Sequence, residues 1–408
     1  MGLVTHVFSD TDTSFNFSAS VFSLEFKLPN IVMLNHMDVV PALQDSQWRY
    51  SPFSGTIVND TVWGRGALDT KGMAVMQLFA VKKMAELSKQ REINYNYTVL
   101  FVSDEERGGK NGGKIITEKF MDLLNPVLVL GEGGAGLTHV LPSKPDQLLF
   151  FTSITEKQSL WLKLEVKMKS SGHGAIFSTD NANQVLLRTM FRLEKRSTVI
   201  LMDDFSKKMF KEIGTLNGGI KGFILKNINT WLLRPFRKKI LSQEPWLINS
   251  VTNTYQLTSW YNPETPPNQI PTYAAAYYDC RLLPGITTEK FLKILKRKIR
   301  DRRVIIKIID ESPEAKIIAD EKFLPVLQHR IQQIFENCEQ LQVMSPASSD
   351  NSYFRSCGIP SYGIMPIELN EKLIGTIHGI NERIAVIQLK DGISNYFQLL
   401  YAVNAIPK

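Results

Sequence analysis

Apolar and polar positions along the chain follow two recurring patterns. Ile31-Val32-Met33-Leu34, Tyr97-Thr98-Val99-Leu100-Phe101-Val102 and Pro126-Val127-Leu128-Val129-Leu130 are apolar runs without alternation, the pattern of strands buried on both faces. Between the first two, Gly72 to Leu87 carries Met73, Val75, Met76, Leu78, Phe79, Val81, Met84 and Leu87 at helical spacing. A further helix is expected to open after Gly108-Gly109. Repeated strand–loop–helix units of this kind predict an α/β domain around a largely parallel sheet. Asn59-Asp60 predicts a hairpin turn between Thr56-Ile57-Val58 and Thr61-Val62-Trp63. The segment before Lys27, rich in Ser, Phe, Thr and Asp, reads as strands or an irregular lead-in.

The pattern changes near Phe150. Ser159 to Met168 alternates apolar and polar residues, as a strand with one wet face does. A helix is expected from about Ala182 to Arg196, mixed helical signals from Phe205 to Ile248, a strand around Ala274–Leu282, a helix over Thr287–Arg300 and a strand over Val304–Ile309. Alternating strands with two helices predict a small α+β unit inserted into the first domain. The expected organisation is a catalytic domain in two parts, 1–152 and 313–408, around an insertion at 153–312. The second part holds a helix at Phe323–Phe335, a strand near Gly358-Ile359-Pro360 and a C-terminal helix from about Asn381.

Composition narrows the classes. The chain has 408 residues, 43% hydrophobic and 22% charged, as in folded proteins. No apolar stretch approaches the roughly 20 residues that span a bilayer. Residues 1–6 lack the features of a signal peptide, so the chain as given is expected in the cytoplasm, or secreted or vacuolar if a leader precedes it. The net charge is +8, with Lys and Arg spread along the chain; a dense patch, Arg234-Pro235-Phe236-Arg237-Lys238-Lys239, is short and reads as a solvated basic face. No nucleic-acid reader motif accompanies it. Cys280, Cys338 and Cys357 are too few and scattered for a disulfide framework or zinc finger.

Chemistry collects at the ends of the predicted strands. His36 and Asp38 leave one face of the first strand, where a carboxylate or carbonyl can fix the tautomer of a ligating imidazole. Asp69, Glu105-Glu106 and Glu132 follow at other strand ends or loops, and His378 precedes the last helix. Singly, Asp69 reads as a helix N-cap, Glu105 and Glu106 as first-turn acids and Glu132 as a loop acid. Jointly they supply what a pair of zinc ions needs: one His and one terminal carboxylate each, with a bridging carboxylate. Adjacent Glu side chains point differently, so one can bind metal while the other acts as general base.

In order, His36-x-Asp38, Gly64-Arg65-Gly66-x-x-Asp69-x-Lys71-Gly72, Asp104-Glu105-Glu106-x-Gly108-Gly109, Glu132, Gly172-His173-Gly174, Asp279-x-Arg281-x-x-Pro284-Gly285 and His378-Gly379-x-Asn381-Glu382 resemble the aminoacylase/carboxypeptidase S family of di-zinc metallohydrolases. Trp231-Leu232-Leu233-Arg234-Pro235 and Asn268-Gln269-Ile270-Pro271 resemble the carboxypeptidase S branch, which includes hydrolases of N-acyl amino acids and dipeptides. The resemblance implies a zinc-peptidase-like catalytic domain and a ferredoxin-like insertion serving as lid and dimerisation unit. It implies two Zn2+ per subunit, with Co2+ or Mn2+ acceptable. His36 and Glu132 would hold one, Glu106 and His378 the other, with Asp69 bridging. Asp38 would orient His36, Glu105 would be the general base, His173 would stabilise the oxyanion, in some members from the partner subunit, and Asn268 and Arg281 would meet the substrate carboxylate. The implied reaction releases an amino acid with a free carboxylate from a peptide or N-acyl substrate, and a homodimer through the insertion is expected. Departures occur at Thr70, where an acid is usual, at Ser348-Ser349-Asp350 in place of Gly-Thr-Asp, and in the loop Ala175–Ser178. The phenylalanines and leucines between Met209 and Leu247 read as core, dimer interface or an apolar acyl site. The competing readings are a non-catalytic relative acting as a binding or dimerisation module, and a binder of nucleic acid or acidic surfaces.

Overall fold

The computed structural model describes residues 2–8, 15–42, 45–141, 143–169, 172–175, 180–195, 199–263 and 266–408. Among them, ten strands form a mixed sheet. Its order is Val4–Phe8, Asn16–Ser20, Asn96–Val102, Asn30–His36, Pro126–Gly131, Ser361–Gly363, Leu149–Glu156, Gly136–Leu137 and Glu368–Leu369, with Glu339–Ser345 also paired to Leu149–Glu156. The centre is parallel: Asn30–His36 runs parallel to both Asn96–Val102 and Pro126–Gly131, and Ser361–Gly363 continues that direction. The edge hairpin of Val4–Phe8 and Asn16–Ser20 is antiparallel.

The central strands are buried throughout, which is why they show no alternation in sequence. On one face Lys71–Ser88 packs against the C-terminal helix Val386–Asn404, burying Met73, Met76, Val81 and Met84 against Tyr396, Leu399 and Leu400. A Cβ on Gly392 would lie 2.2 Å from the Met76 sulfur, so glycine there permits the close approach. The helix stripe expected in sequence is only partly core, since Val75 and Phe79 face solvent. The last helix starts at Val386, later than expected, because residues 378–382 form the loop that carries His378.

A separate four-stranded antiparallel sheet has the order Thr254–Tyr261, Tyr273–Leu282, Gln158–Lys167, Val304–Glu311. Helices Ala182–Lys195 and Thr288–Ile299 cover one face through Leu160, Leu162, Leu164, Val185 and Phe291. The stretch with mixed helical signals becomes helices Asp204–Asn217, Gly219–Lys226, Arg237–Leu241 and Pro245–Asn249. Met209, Phe210, Ile213, Ile228, Leu241 and Leu247 from it pack on Leu149 and Leu341 of the large sheet, not on the small one. No helix of the described residues is long and apolar enough to cross a membrane.

Candidate metal centre

Three neighbouring parallel strands, Asn96–Val102, Asn30–His36 and Pro126–Gly131, end at the same sheet edge. His36 is the last residue of the middle one, and the loops leaving its neighbours carry Glu105-Glu106 and Glu132. Sites of α/β sheets form in this crevice beyond the carboxyl ends of the strands. Asp69 enters from the loop before the Lys71 helix; Thr70, not Asp69, is that helix's N-cap.

The acids and imidazoles converge. His36 Nε2 lies 3.1 Å from Asp69 Oδ1, and His378 Nε2 lies 3.1 Å from Asp69 Oδ2 and 3.3 Å from Glu106 Oε1. One ligand atom from each of His36, Asp69 and Glu132 falls within 4.8 Å of the others, as it does for Asp69, Glu106 and His378. Asp69 thus faces both histidines with separate oxygens, the disposition of a bridging carboxylate.

The supports are backbone and carboxylate. His36 Nδ1 donates to the Asp38 carbonyl at 2.9 Å, which leaves Nε2 as the ring's free ligand atom. The Asp38 carboxylate, 3.7 Å from Nδ1, instead accepts the Glu105 and Glu106 N–H groups at 3.2 and 3.1 Å. Asp38 therefore ties the His36 strand to the Glu105-Glu106 turn. That turn is tight: Asp104 has φ 68°, and a Cβ on Gly109 would sit 2.3 Å from Asp350 Oδ1.

Glu382, quoted above only as part of a motif, is 0% exposed and organises the opposite wall. It accepts from Arg65 Nη1 at 2.7 Å and from the N–H groups of Gly66, Leu68 and Asp69 at 2.9–3.0 Å. Arg65 Nη2 then donates to the His378 carbonyl at 3.2 Å. One buried carboxylate thereby sets both the Asp69 loop and the His378 loop. A second buried pair, Arg355 Nη1 and Glu156 Oε2 at 2.9 Å, anchors Ser349, whose N–H and Oγ donate to Glu156. Asn351 Nδ2 reaches the Glu132 carbonyl at 3.0 Å. Glu156 carries no sequence signal beyond its residue type, and Glu382 stands in a motif that gives it no role.

Crowded acids set the electrostatics. Burial, then the Asp69 charge, pushes the Glu132 carboxyl up to about 8. Burial and neighbouring Glu132 hold Glu105 well above the usual carboxylate range. Burial also pushes Asp350 up to about 8; Gly113 N–H leans toward it, but neither oxygen accepts a hydrogen bond of ordinary geometry. Hydrogen bonds to Asp69 and Glu106 raise His378 to about 10. Burial opposes charge on His36 and Asp69, yet the Asp38 and Asp69 carboxylates raise His36, and the His36 and His378 rings lower Asp69. Without another positive charge the cluster must hold protons. A divalent cation supplies that charge, and the buried Glu106 Oε1, beside His378 Nε2, is a further ligand atom. Two imidazoles and three carboxylates are a donor set that fits such ions.

A cavity of about 860 Å³ opens from this cluster. Asp69, Glu105, Glu106, Glu132 and His378 line one region; Leu137, Val140, Phe151, Trp161, Met209, Trp246, Val343, Leu369 and Ile377 line much of the rest. Arg281 is the only Lys or Arg lining it among the described residues, and Asp279 clamps its Nε and Nη2 at 2.8 and 2.9 Å. His173 and Asn268 are brought together with each other but not with the cluster. Both are exposed on the smaller unit, where Gly174 N–H donates to the Asn268 carbonyl and His173 pairs with Gln269, and neither lines the cavity. Of the loop after His173, residues 176–179 lie outside the described residues.

Known proteins resemble this chain in sequence and fold. Residues 32–402 match the model of peptidase family M20/M25/M40. The probable carboxypeptidase S-like 2 of Dictyostelium discoideum is 28% identical over 92% of the chain and 72% of its own length. The N-fatty-acyl-amino acid synthase/hydrolase PM20D1 of Mus musculus is 25% identical over 93% of the chain and 76% of its own length. Among solved structures, the M20 family metallo-carboxypeptidase Sso-CP2 from Sulfolobus solfataricus superposes with a TM-score of 0.71 at 18% identity, covering 100% of this chain and 91% of that one. Human carnosine dipeptidase 1 gives 0.66 at 14% identity over 98% and 88%. The mixed α/β fold with its mostly parallel sheet is that of these hydrolases, and the family implies a divalent metal. The chain belongs to peptidase family M20/M25/M40 and is a hydrolytic enzyme acting on amide bonds.

Proposed function

We propose that the protein is a zinc-dependent hydrolase that releases an amino acid with a free carboxylate from an N-acyl amino acid bearing a long apolar acyl group. The observation that carries this reading is the cavity, about 860 Å³ with mostly apolar walls, opening on the cluster of histidines and carboxylates. A dipeptide needs less apolar wall than this. The mouse relative named above as an N-fatty-acyl-amino acid synthase/hydrolase supports the same class.

His36 with Glu132 would hold one ion, Glu106 with His378 the other, and Asp69 would bridge them. When bound, the ions would supply Lewis-acid polarisation of the amide carbonyl and would make the attacking water more acidic. Glu105 takes the proton of the attacking water and returns it to the leaving amine nitrogen. Arg281, fixed by Asp279, presents a planar donor set to the amino acid carboxylate. The apolar walls take the acyl chain. The organisation of 1–152 and 313–408 as a catalytic domain around an insertion at 153–312, and pairing of two copies through that insertion, belong to this proposal. The pairing would carry exposed His173 and Asn268 to a partner's cavity.

The test is hydrolysis of a panel of N-acetyl and N-long-acyl amino acids beside dipeptides, with and without chelator. Chelator-sensitive release that favours long acyl groups is the expected result. Preference for dipeptides would overturn the substrate class.

A further inference from the structure

Between Glu212 and Glu244 the chain has no Asp or Glu but six basic residues, Lys221, Lys226, Arg234, Arg237, Lys238 and Lys239. The stretch therefore carries only positive formal charge. The same stretch leaves large apolar side chains in solvent: Ile220 is 81% exposed, Phe223 67%, Trp231 80%, Leu232 62% and Phe236 57%. None belongs to the core or lines the cavity, although Met209, Ile213, Ile228 and Leu241 around them are buried. Ile220 and Phe223 share a face of the helix Gly219–Lys226, while buried Gly222 presses the other side against Gly214. The turn carrying Trp231 and Leu232 is not loose: Arg237 donates to the carbonyls of Ile228 and Asn229 at 2.8 Å. The region is thus a held scaffold that displays aromatic and aliphatic side chains among lysines and arginines.

Burying such side chains inward is the default, and five of them left exposed within 17 residues mark an interaction surface. We propose that this face docks on the surface of an anionic phospholipid bilayer. Trp, Phe, Leu and Ile would enter the headgroup–acyl boundary, and the surrounding cations would meet the lipid phosphates and carboxylates. The absence of acids across the stretch is the complement of that negative surface. A protein partner would not require every acid to be missing. The proposed contact is with the bilayer surface; no described helix is long and apolar enough to cross a membrane.

The test is co-sedimentation of the full chain with vesicles of phosphatidylserine and phosphatidylcholine, beside vesicles of phosphatidylcholine alone. Wild-type protein is expected to pellet with the anionic vesicles, less so in high salt, and to stay in solution with the neutral ones. The double variants Trp231→Ser/Leu232→Ser and Lys238→Glu/Lys239→Glu should each bind more than about tenfold more weakly at an unchanged thermal midpoint, since all four side chains are exposed. Three results would overturn the proposal: no pelleting of wild type, equal binding by the Trp231→Ser/Leu232→Ser variant, or self-association in solution that this variant abolishes while vesicle binding is absent.

Discussion

Glu132 and Asp350 show what individual residues endure to build the site. Burial raises Glu132 from an ordinary 4.5 to about 8 and Asp350 from 3.8 to about 8. A group whose folded-state value is raised stabilises the fold fully below its unfolded value, and that stabilisation is lost as pH rises through the folded value. Hydrogen bonds to Asp69 and Glu106 raise His378 from 6.5 to about 10, which acts in the same direction at higher pH. Metal-free protein is therefore expected to lose thermal stability as pH rises from about 4.5 to 8. Zinc should flatten that loss, because the ion replaces the protons. A midpoint constant across this window, followed by calorimetry without metal, would contradict the assignment. Glu105→Gln separates binding from chemistry at the same scale. It should lower kcat by roughly 10²–10⁴ while leaving zinc content unchanged.

At the scale of elements, the centre is a junction of loops, and Glu382 is its pin. Glu382→Gln weakens the hold on Arg65 and on the Asp69 loop together. About 3–5 kcal/mol of stability should be lost, since Arg65 is left buried without its counter-charge. Zinc affinity should fall by roughly 10–100-fold, measured by competition with a chelator. Unaltered affinity would show that the loop holds itself. The positions of His36, Glu105, Glu106 and Glu132 were legible in sequence because each follows an apolar run, and parallel strands bring their carboxyl ends to one edge. Glu382 was not legible, since nothing local distinguishes a buried acid from a helix-leading one. The strand Thr254–Tyr261 escaped because it is an edge strand, exposed along most of its length and so without period. The helices of 204–249 gave mixed signals because Gly218, Gly219, Pro235 and Pro245 cut the stretch into short pieces. His173 and Asn268 were legible as motif positions, but a motif says nothing about which cavity a side chain meets.

At the scale of the whole molecule, the cavity joins both sheets: Phe151 and Val343 come from the large one, Trp161 and Arg281 from the small one. If its apolar wall takes the acyl chain, each added methylene contributes about 0.8 kcal/mol. Specificity, kcat/KM, should then climb about fourfold per methylene until the chain outgrows the wall. Trp161→Ala should flatten the climb for long chains and leave acetyl substrates little changed. A flat profile in the wild type would place the acyl group elsewhere.

The central claim is that two ions held by His36, Asp69, Glu106, Glu132 and His378 make this cleft a hydrolase. Stoichiometric reactivation tests it most directly. Chelated, metal-free protein is titrated with zinc while release of the amino acid is followed. Activity should be absent at the start, rise with added metal and saturate at two equivalents per chain. Full activity before any zinc is added, or saturation without hydrolysis of any amide substrate, would contradict it.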